Sequence, residues 1–252
     1  MFKRWPGFLL ILVLLALWQA ASRNQWIDPL TMPAITDIFR SWLTAARDHS
    51  LLGDLGSTLV RIAWGFGLSV LVGVPVGIAM GSIRFLYVLL EPITELVRPI
   101  PSSAYIPVAI LFLGIDDEMK VFVIFLASFF PILLNTYSGV RSVDPVLLDT
   151  GRTFQIAWLD CVWSIILPAA MPHILTGMRI SLGICLVVSV VAEMIAGSSG
   201  IGYFILDMQR TFRVPEMFAG IFTLGLVGFL INFAFLKIEH RVLHWRGSDA
   251  EA

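Results

Sequence analysis

The chain has 252 residues, 58% of them hydrophobic and only 14% charged, with a formal net charge of −1. So little charge excludes an ordinary soluble domain, in which roughly a quarter of the residues are charged. The near-neutral balance, without a basic patch, excludes nucleic acid as a partner.

The apolar residues form continuous runs, several of them near the ~20 residues that carry a helix across a bilayer's hydrocarbon core. An all-α membrane protein is therefore expected. Lys3 and Arg4 precede the first run, and Trp5 to Ala21 suits a short retained anchor, although Ala20-Ala21-Ser22 would also serve as a signal-cleavage site. Ile35, Ile38, Phe39, Trp42, Leu43 and Ala46 then recur at helical spacing among polar residues, the pattern of a helix lying in the interface. Residues 1–57 thus read as a first span plus a periplasmic interfacial helix, and 58–252 as the transmembrane core.

The second span is expected over Thr58 to Met80, where Gly65, Ser69, Gly73, Gly77 and Gly81 recur every fourth residue. Such a track lets another helix backbone approach closely, either within the subunit or in a second copy. The third, Phe85 to Leu113, carries Glu91, Glu95, Arg98, Pro92, Pro99, Pro101 and Pro107 and cannot be one simple lipid-facing helix. Interrupted helices point to solute paths, because their broken backbone must face a cavity or protein. Arg98, Ser102, Ser103 and Tyr105, with Asn135 and Glu193 from other spans, are the candidates to line one. The alternative is that the prolines only shape the bundle and Arg98 pairs with Glu95.

The remaining spans fall near Met119 to Val140, Ile174 to Ile195 and Met217 to Leu236. In the fifth, Gly177, Ser181, Cys185, Ser189, Glu193 and Gly197 repeat the small-residue device and put Glu193 on a protein-facing side. Cys161 and Cys185 fit no metal pattern and read as packing residues. Six spans place both termini on one side. Clustering of Lys3/Arg4 and Lys237/Arg241/Arg246 at span ends makes that side cytoplasmic, together with the polar segment 141–173.

Enzyme chemistry finds little footing. Gly197-Ser198-Ser199-Gly200 has the form used by intramembrane serine proteases, but His49, His173, His240 and His244 sit in loops or at span ends, where none can act as its base. The sequence has no GxxxxGK[ST] loop and no HExxH helix. If the protein works against a gradient, another chain must bind the nucleotide.

The cytoplasmic segment reads Asp149-Thr150-Gly151-Arg152-Thr153-Phe154-Gln155, then nine residues, then Ile165-Ile166-Leu167-Pro168. It resembles the coupling loop of permease subunits of bacterial ATP-binding-cassette importers: Glu-Ala-Ala, three variable residues, Gly, nine variable residues, Ile-x-Leu-Pro. Asp149 stands at the acidic position, Thr150 and Gly151 at the two alanines and Gln155 at the glycine. Leu59-Val60-Arg61 with Gly65-Phe66, Gly73-Val74-Pro75-Val76-Gly77, Arg98-Pro99-Ile100-Pro101, Ala192-Glu193-Met194 and Gly200-Ile201-Gly202-Tyr203 look like the nitrate, sulfonate and taurine branch.

The resemblance implies a six-span, MetI-like type I importer permease of the inner membrane. It would work as a homodimer with two cytoplasmic ATP-binding subunits, fed by a periplasmic or lipid-anchored binding protein. It would hold no cofactor of its own, since ATP and Mg belong to the partner ATPase. Leu148, Asp149, Thr150, Gly151, Arg152, Phe154, Gln155, Ile165, Leu167 and Pro168 would form the ATPase-coupling surface. The solute implied is a small anion, such as a sulfonate, taurine, nitrate or bicarbonate. A secondary transporter is the alternative, and it would call for internal repeats, which the sequence does not show. Two local expectations follow. Gln155 should lengthen the first coupling helix or reshape the turn that glycine usually makes. Pro168 should end the second and redirect the chain into the membrane.

Overall fold

A computed structural model describes residues 5–28, 31–48 and 50–244, and every regular element among them is helical. Four helices are long and apolar enough to cross a membrane: α3 (Ser50–Ser82), α6 (Asp117–Arg141), α9 (Leu167–Ala196, running on from Trp158) and α11 (Val214–Val242). Between α3 and α6 lie α4 (Arg84–Val97), a 3₁₀ turn (Ser102–Tyr105) and α5 (Ile106–Leu113), and the two arms meet at 88°. Pro99 and Pro101 sit at the break, where missing amides and the restriction on preceding residues forbid a continuous helix. The remaining elements are α1 (Trp5–Arg23), the amphipathic α2 (Ile35–Arg47), α7 (Pro145–Thr153), α8 (Trp158–Cys161) and α10 (Ile201–Arg210).

The small-residue tracks build the centre. A Cβ added to Gly65 would fall 2.5 Å from Ile124, one on Gly77 2.6 Å from Thr136, and one on Gly81 2.6 Å from Val140. The constant offset means that α3 and α6 run parallel in contact. Chain connectivity then requires the bent α4–α5 segment to travel back along the bundle, as a fifth crossing. The α9 track packs on another face of α6, antiparallel: Gly177 meets Asn135 and the Pro131 carbonyl, and Gly139 of α6 meets His173. Where the three helices converge, the Ser69 and Ser128 hydroxyls lie 2.6 Å apart and Ser181 donates to the Ser128 carbonyl at 2.8 Å. The α3 track therefore packs within the chain, which settles the two readings left open by its spacing.

Around this seam, Trp18 of α1 packs on Phe218 and Phe222 of α11, and Trp42 of α2 donates to Thr223. The second span is longer than expected, since α3 begins at Ser50 and the 57/58 division lies inside it. At 33 residues it is about 50 Å long, more than the hydrocarbon core needs, so its first turns reach beyond that core. They meet α10, a short helix that the apolar runs gave no reason to expect.

Candidate functional site

Three places in the fold concentrate polar chemistry. The first lies at the end of the bundle where α3 and α6 begin and α9 finishes. Arg61 is 2% exposed and Glu193 is fully buried, and their side chains meet at 2.8 Å. Arg61 uses its whole donor fork. Nε and Nη2 reach the Asp117 carboxylate at 2.8 and 2.7 Å, Nη1 also reaches the Ser199 carbonyl at 2.9 Å, and Nη2 the Ser199 hydroxyl at 2.7 Å. Glu193 accepts from Thr58 at 2.9 Å, Ser189 at 3.3 Å and the Gly202 amide at 3.0 Å. The nearby Asp54 accepts from the Gly200 amide at 2.7 Å. Gly200 has φ +108, and a Cβ there would fall 2.3 Å from the Glu193 carboxyl carbon, so only glycine lets this loop close over the acid.

Buried charges persist only when paired and hydrogen-bonded, and here both are saturated. The arrangement binds α3, α6, α9 and the start of α10 into one clamp, with no donor of Arg61 left for a passing solute. Glu193, expected to line a path, lies fully buried in this clamp, paired with Arg61. Ser199, the serine of the Gly197–Gly200 pattern, accepts from Arg61 through both its carbonyl and its hydroxyl.

The second place is a cavity of about 540 Å³ between the bent segment and α6 and α9. Arg98, Ser102, Tyr105 and Asn135, four of the six expected pathway residues, line it, whereas Ser103 and Glu193 do not. The Tyr105 hydroxyl is buried and finds no hydrogen-bond partner among the described residues. Asn135 donates to the Pro131 carbonyl at 2.8 Å. Arg98 lies 3.5 Å from Glu95 across one turn of exposed helix, so the local pairing and the cavity position hold together.

The third is the arm formed by α7 and α8 at the opposite end. Asp144 caps α7 by accepting from the Val146 amide at 2.8 Å, with Pro145 at the first helical position. Gly151 is buried with room for only about 3.0 Å between an added Cβ and Ile165, so α7 lies directly on the segment leading into α9. Leu148 packs with it against Val162 and Ile166. Leu147, Phe154, Trp158, Leu159 and Trp163 stay exposed, Phe154 at 75%. The helix thus splits the expected coupling residues: Leu148 and Gly151 turn inward, Phe154 outward beside Leu147. Thr150 is exposed and its hydroxyl donates back to the Val146 carbonyl. Asp149 pairs with Arg152 of its own helix at 2.9 Å.

Both local expectations need correcting. Gln155 makes the turn that glycine would make: it has φ +52, its amide donates to the Arg152 carbonyl and the next amide, Ile156, to that of Gly151. These two bonds close the helix in the same way as a terminal glycine, with the left-handed residue accepted at a cost of about 1 kcal/mol. Gln155→Gly should therefore raise stability by about that amount, read as a higher midpoint of thermal unfolding in detergent. Pro168 does not end a helix either. It occupies the first turn of α9, and a wide turn over Val162–Ile166, with the Leu167 amide bonded to the Val162 carbonyl, feeds α8 into it. The helical path from Trp158 to Ala196 is unbroken over 39 residues.

Residues 73–244 match the family described as binding-protein-dependent transport system inner membrane component. The taurine transport system permease protein TauC of Escherichia coli is 34% identical over 240 residues, covering 93% of this chain and 87% of TauC. The nitrate import permease protein NrtB of Synechocystis sp. is 32% identical over 237 residues, covering 90% of this chain and 86% of NrtB. Among solved structures, the inward-facing MetNI methionine ABC transporter matches with a TM-score of 0.67 at 20% identity, over 76% of this chain and 96% of its own. At that identity the likeness is one of fold.

Proposed function

The chain belongs to the family of binding-protein-dependent transport inner membrane components, an importer permease and not an enzyme, and from that membership we propose how it works. It is a multi-pass membrane protein of the sulfonate, taurine and nitrate import branch. Its two halves of work are docking an ATPase and passing a small anion. The α7–α8 arm faces the cytoplasm and docks the ATPase through Leu147, Phe154, Trp158 and Leu159, with Asp149 and Arg152 at the rim. The observation that carries this reading is the continuous helical path from Trp158 through α9, which links α8 to the far end of the bundle.

α1 leads into the end of the bundle where α11 starts, and α11 returns from it, so cytoplasmic coupling puts the N-terminal end of α1 and the C-terminal end of α11 on the cytoplasmic side too. Lys237 and Arg241 agree with that orientation. The Arg61–Glu193 clamp is then at the periplasmic end. Two copies enclose the path between them, since one bundle of this size encloses little, and a binding protein delivers solute to the outer face. ATP-driven closure of the ATPases alternates access to the cavity lined by Arg98, Ser102, Tyr105 and Asn135.

The experiment is a pull-down of the ATP-hydrolysing subunit from membranes. The native chain should retain it, and Asp149→Lys with Phe154→Ala should lose most of it while inserting normally. Full retention by that variant would place the docking surface elsewhere.

A further inference from the structure

The bent segment leaves the bundle and comes back to it. Near its start the Tyr87 ring of α4 stacks on Tyr137 of α6, with centroids 5.1 Å apart and 9° between the planes. At its elbow the 3₁₀ turn and α5 return to α6. The cavity lies between these two levels. On α6 its lining face includes Phe130, Pro131 and Leu134, and the next helical step of three or four residues brings Tyr137 and Ser138. On α4 the same stepping back from Arg98 passes Thr94 and Glu91 and ends at Tyr87. The two rings therefore meet across the end of the cavity nearest to the α7–α8 arm.

Tyr87 is not free to swing, because its hydroxyl donates to the Glu91 carboxylate one turn further along α4. Glu91 is half-buried within a spanning segment, where a carboxylate is costly unless a donor meets it, so the bond serves both groups. Tyr137 belongs to the turn of α6 that its neighbours grip most closely. A Cβ added to Gly139 would fall 2.7 Å from His173 of α9, and one added to Gly81 of α3 would fall 2.6 Å from Val140. Helices packed this closely cannot shift independently, so movement at the start of α9 carries the Tyr137 turn with it.

We infer that Tyr87 and Tyr137 form the cytoplasmic gate of this cavity, and that Glu91 is the positioning residue that holds the Tyr87 ring across the opening. The inference rests on the reading that the cavity lies on the solute path and the arm is cytoplasmic, and it names the residues at which that path closes. In the structure the gate is shut. Stacked rings present an apolar barrier to a hydrated solute, and rotation of one ring away from its staggered position parts them. The Tyr87–Glu91 bond lies wholly within α4, so it survives relative motion of α4 and α6 and returns the ring to the same place.

The test uses the complex of permease and ATPase in inside-out membrane vesicles, with Cys161 and Cys185 replaced by alanine and Ser102→Cys as a reporter inside the cavity. The rate of modification by a charged, membrane-impermeant methanethiosulfonate reads access from the cytoplasmic face. Tyr87→Phe, which keeps the ring but frees it from Glu91, should speed modification roughly tenfold, the scale of one lost hydrogen bond. Glu91→Ala should do the same, and the two together no more than either alone. Glu91→Gln still offers an amide oxygen and should stay near the native rate, a rescue that loss of general packing would not show. Tyr87→Ala with Tyr137→Ala should be fastest. In right-side-out vesicles none of these changes should alter the rate. Cytoplasmic access unchanged in both Tyr87→Phe and the double alanine variant, or raised equally from both faces, would overturn the gate. Uptake by the complete system separates this from the underlying reading. If modifying Ser102→Cys leaves uptake intact, the cavity is not on the path and that reading fails. If it blocks uptake while the tyrosine variants leave access unchanged, the path stands and the gate does not.

Discussion

Arg61→Ala should be the most damaging single substitution in the half of the bundle where α3 and α6 begin, lowering stability by about 3–5 kcal/mol. That is the usual consequence of removing one partner from a buried ion pair and leaving the other uncompensated. Here Glu193 would remain fully buried, keeping only Thr58, Ser189 and the Gly202 amide, while Asp117 and Ser199 lose their shared donor. Thermal unfolding of the purified protein in detergent reads the effect directly. Arg61→Lys should fall between, since an ammonium keeps the charge but cannot present a planar fork to Glu193, Asp117 and Ser199 at once. Exchanging the charges with Arg61→Glu and Glu193→Arg should not restore stability, because Asp117 would then face a carboxylate. A native-like midpoint for Arg61→Ala would mean that the clamp does not hold these helix ends together.

The second large effect is expected in the α3–α6 seam. A Cβ on Gly77 falls 2.6 Å from Thr136 and 2.9 Å from the Leu133 carbonyl, and backbone cannot step aside as a flexible side chain can. Gly77→Val should therefore separate the helices and cost about 3 kcal/mol or more, the upper range for overpacking a close-packed interior. Gly67, on the same helix, has nothing within 4 Å of its added Cβ. Gly67→Ala should be neutral or stabilising by up to about 1 kcal/mol, from helix propensity alone. The contrast, measured as folded yield and unfolding midpoint, separates helix–helix contact from a general intolerance of α3 to change.

These two cases show what a linear sequence discloses. The seam was legible because close helix contact in a membrane depends on small residues at fixed spacing, and Gly65 to Gly81 display it. The partner helix was not legible, since α6 meets the track with ordinary residues, Ile124, Ile132, Thr136 and Val140. The clamp was hidden by distance in the chain, with Arg61 56 residues from Asp117 and 132 from Glu193. A signal did exist: Arg61 lies one four-residue step before Gly65, and Glu193 sits on the α9 track, so each small-residue track carries an opposite charge at the same end. The bend at Pro99 and Pro101 was foreseeable from missing amides, and with it the grouping of Arg98, Ser102 and Tyr105. Glu193's pairing was not legible, because a carboxyl on a protein-facing track suits both a pathway and a buried pair. Gln155 was misjudged for a different reason. A local preference of about 1 kcal/mol does not override a turn fixed by the packing of Gly151 and Leu148 on the following helix.

The central claim is that the α7–α8 arm passes the ATPase's motion to the bundle through the unbroken helix into α9. The most direct measurement compares the native chain with Asp149→Lys plus Phe154→Ala, each assembled with ATPase and binding protein in proteoliposomes, scoring ATP hydrolysis and uptake of taurine together. The account predicts that the variant, folded and inserted as before, loses uptake and loses the dependence of hydrolysis on solute-loaded binding protein. Hydrolysis still coupled to uptake at the native ratio would contradict it.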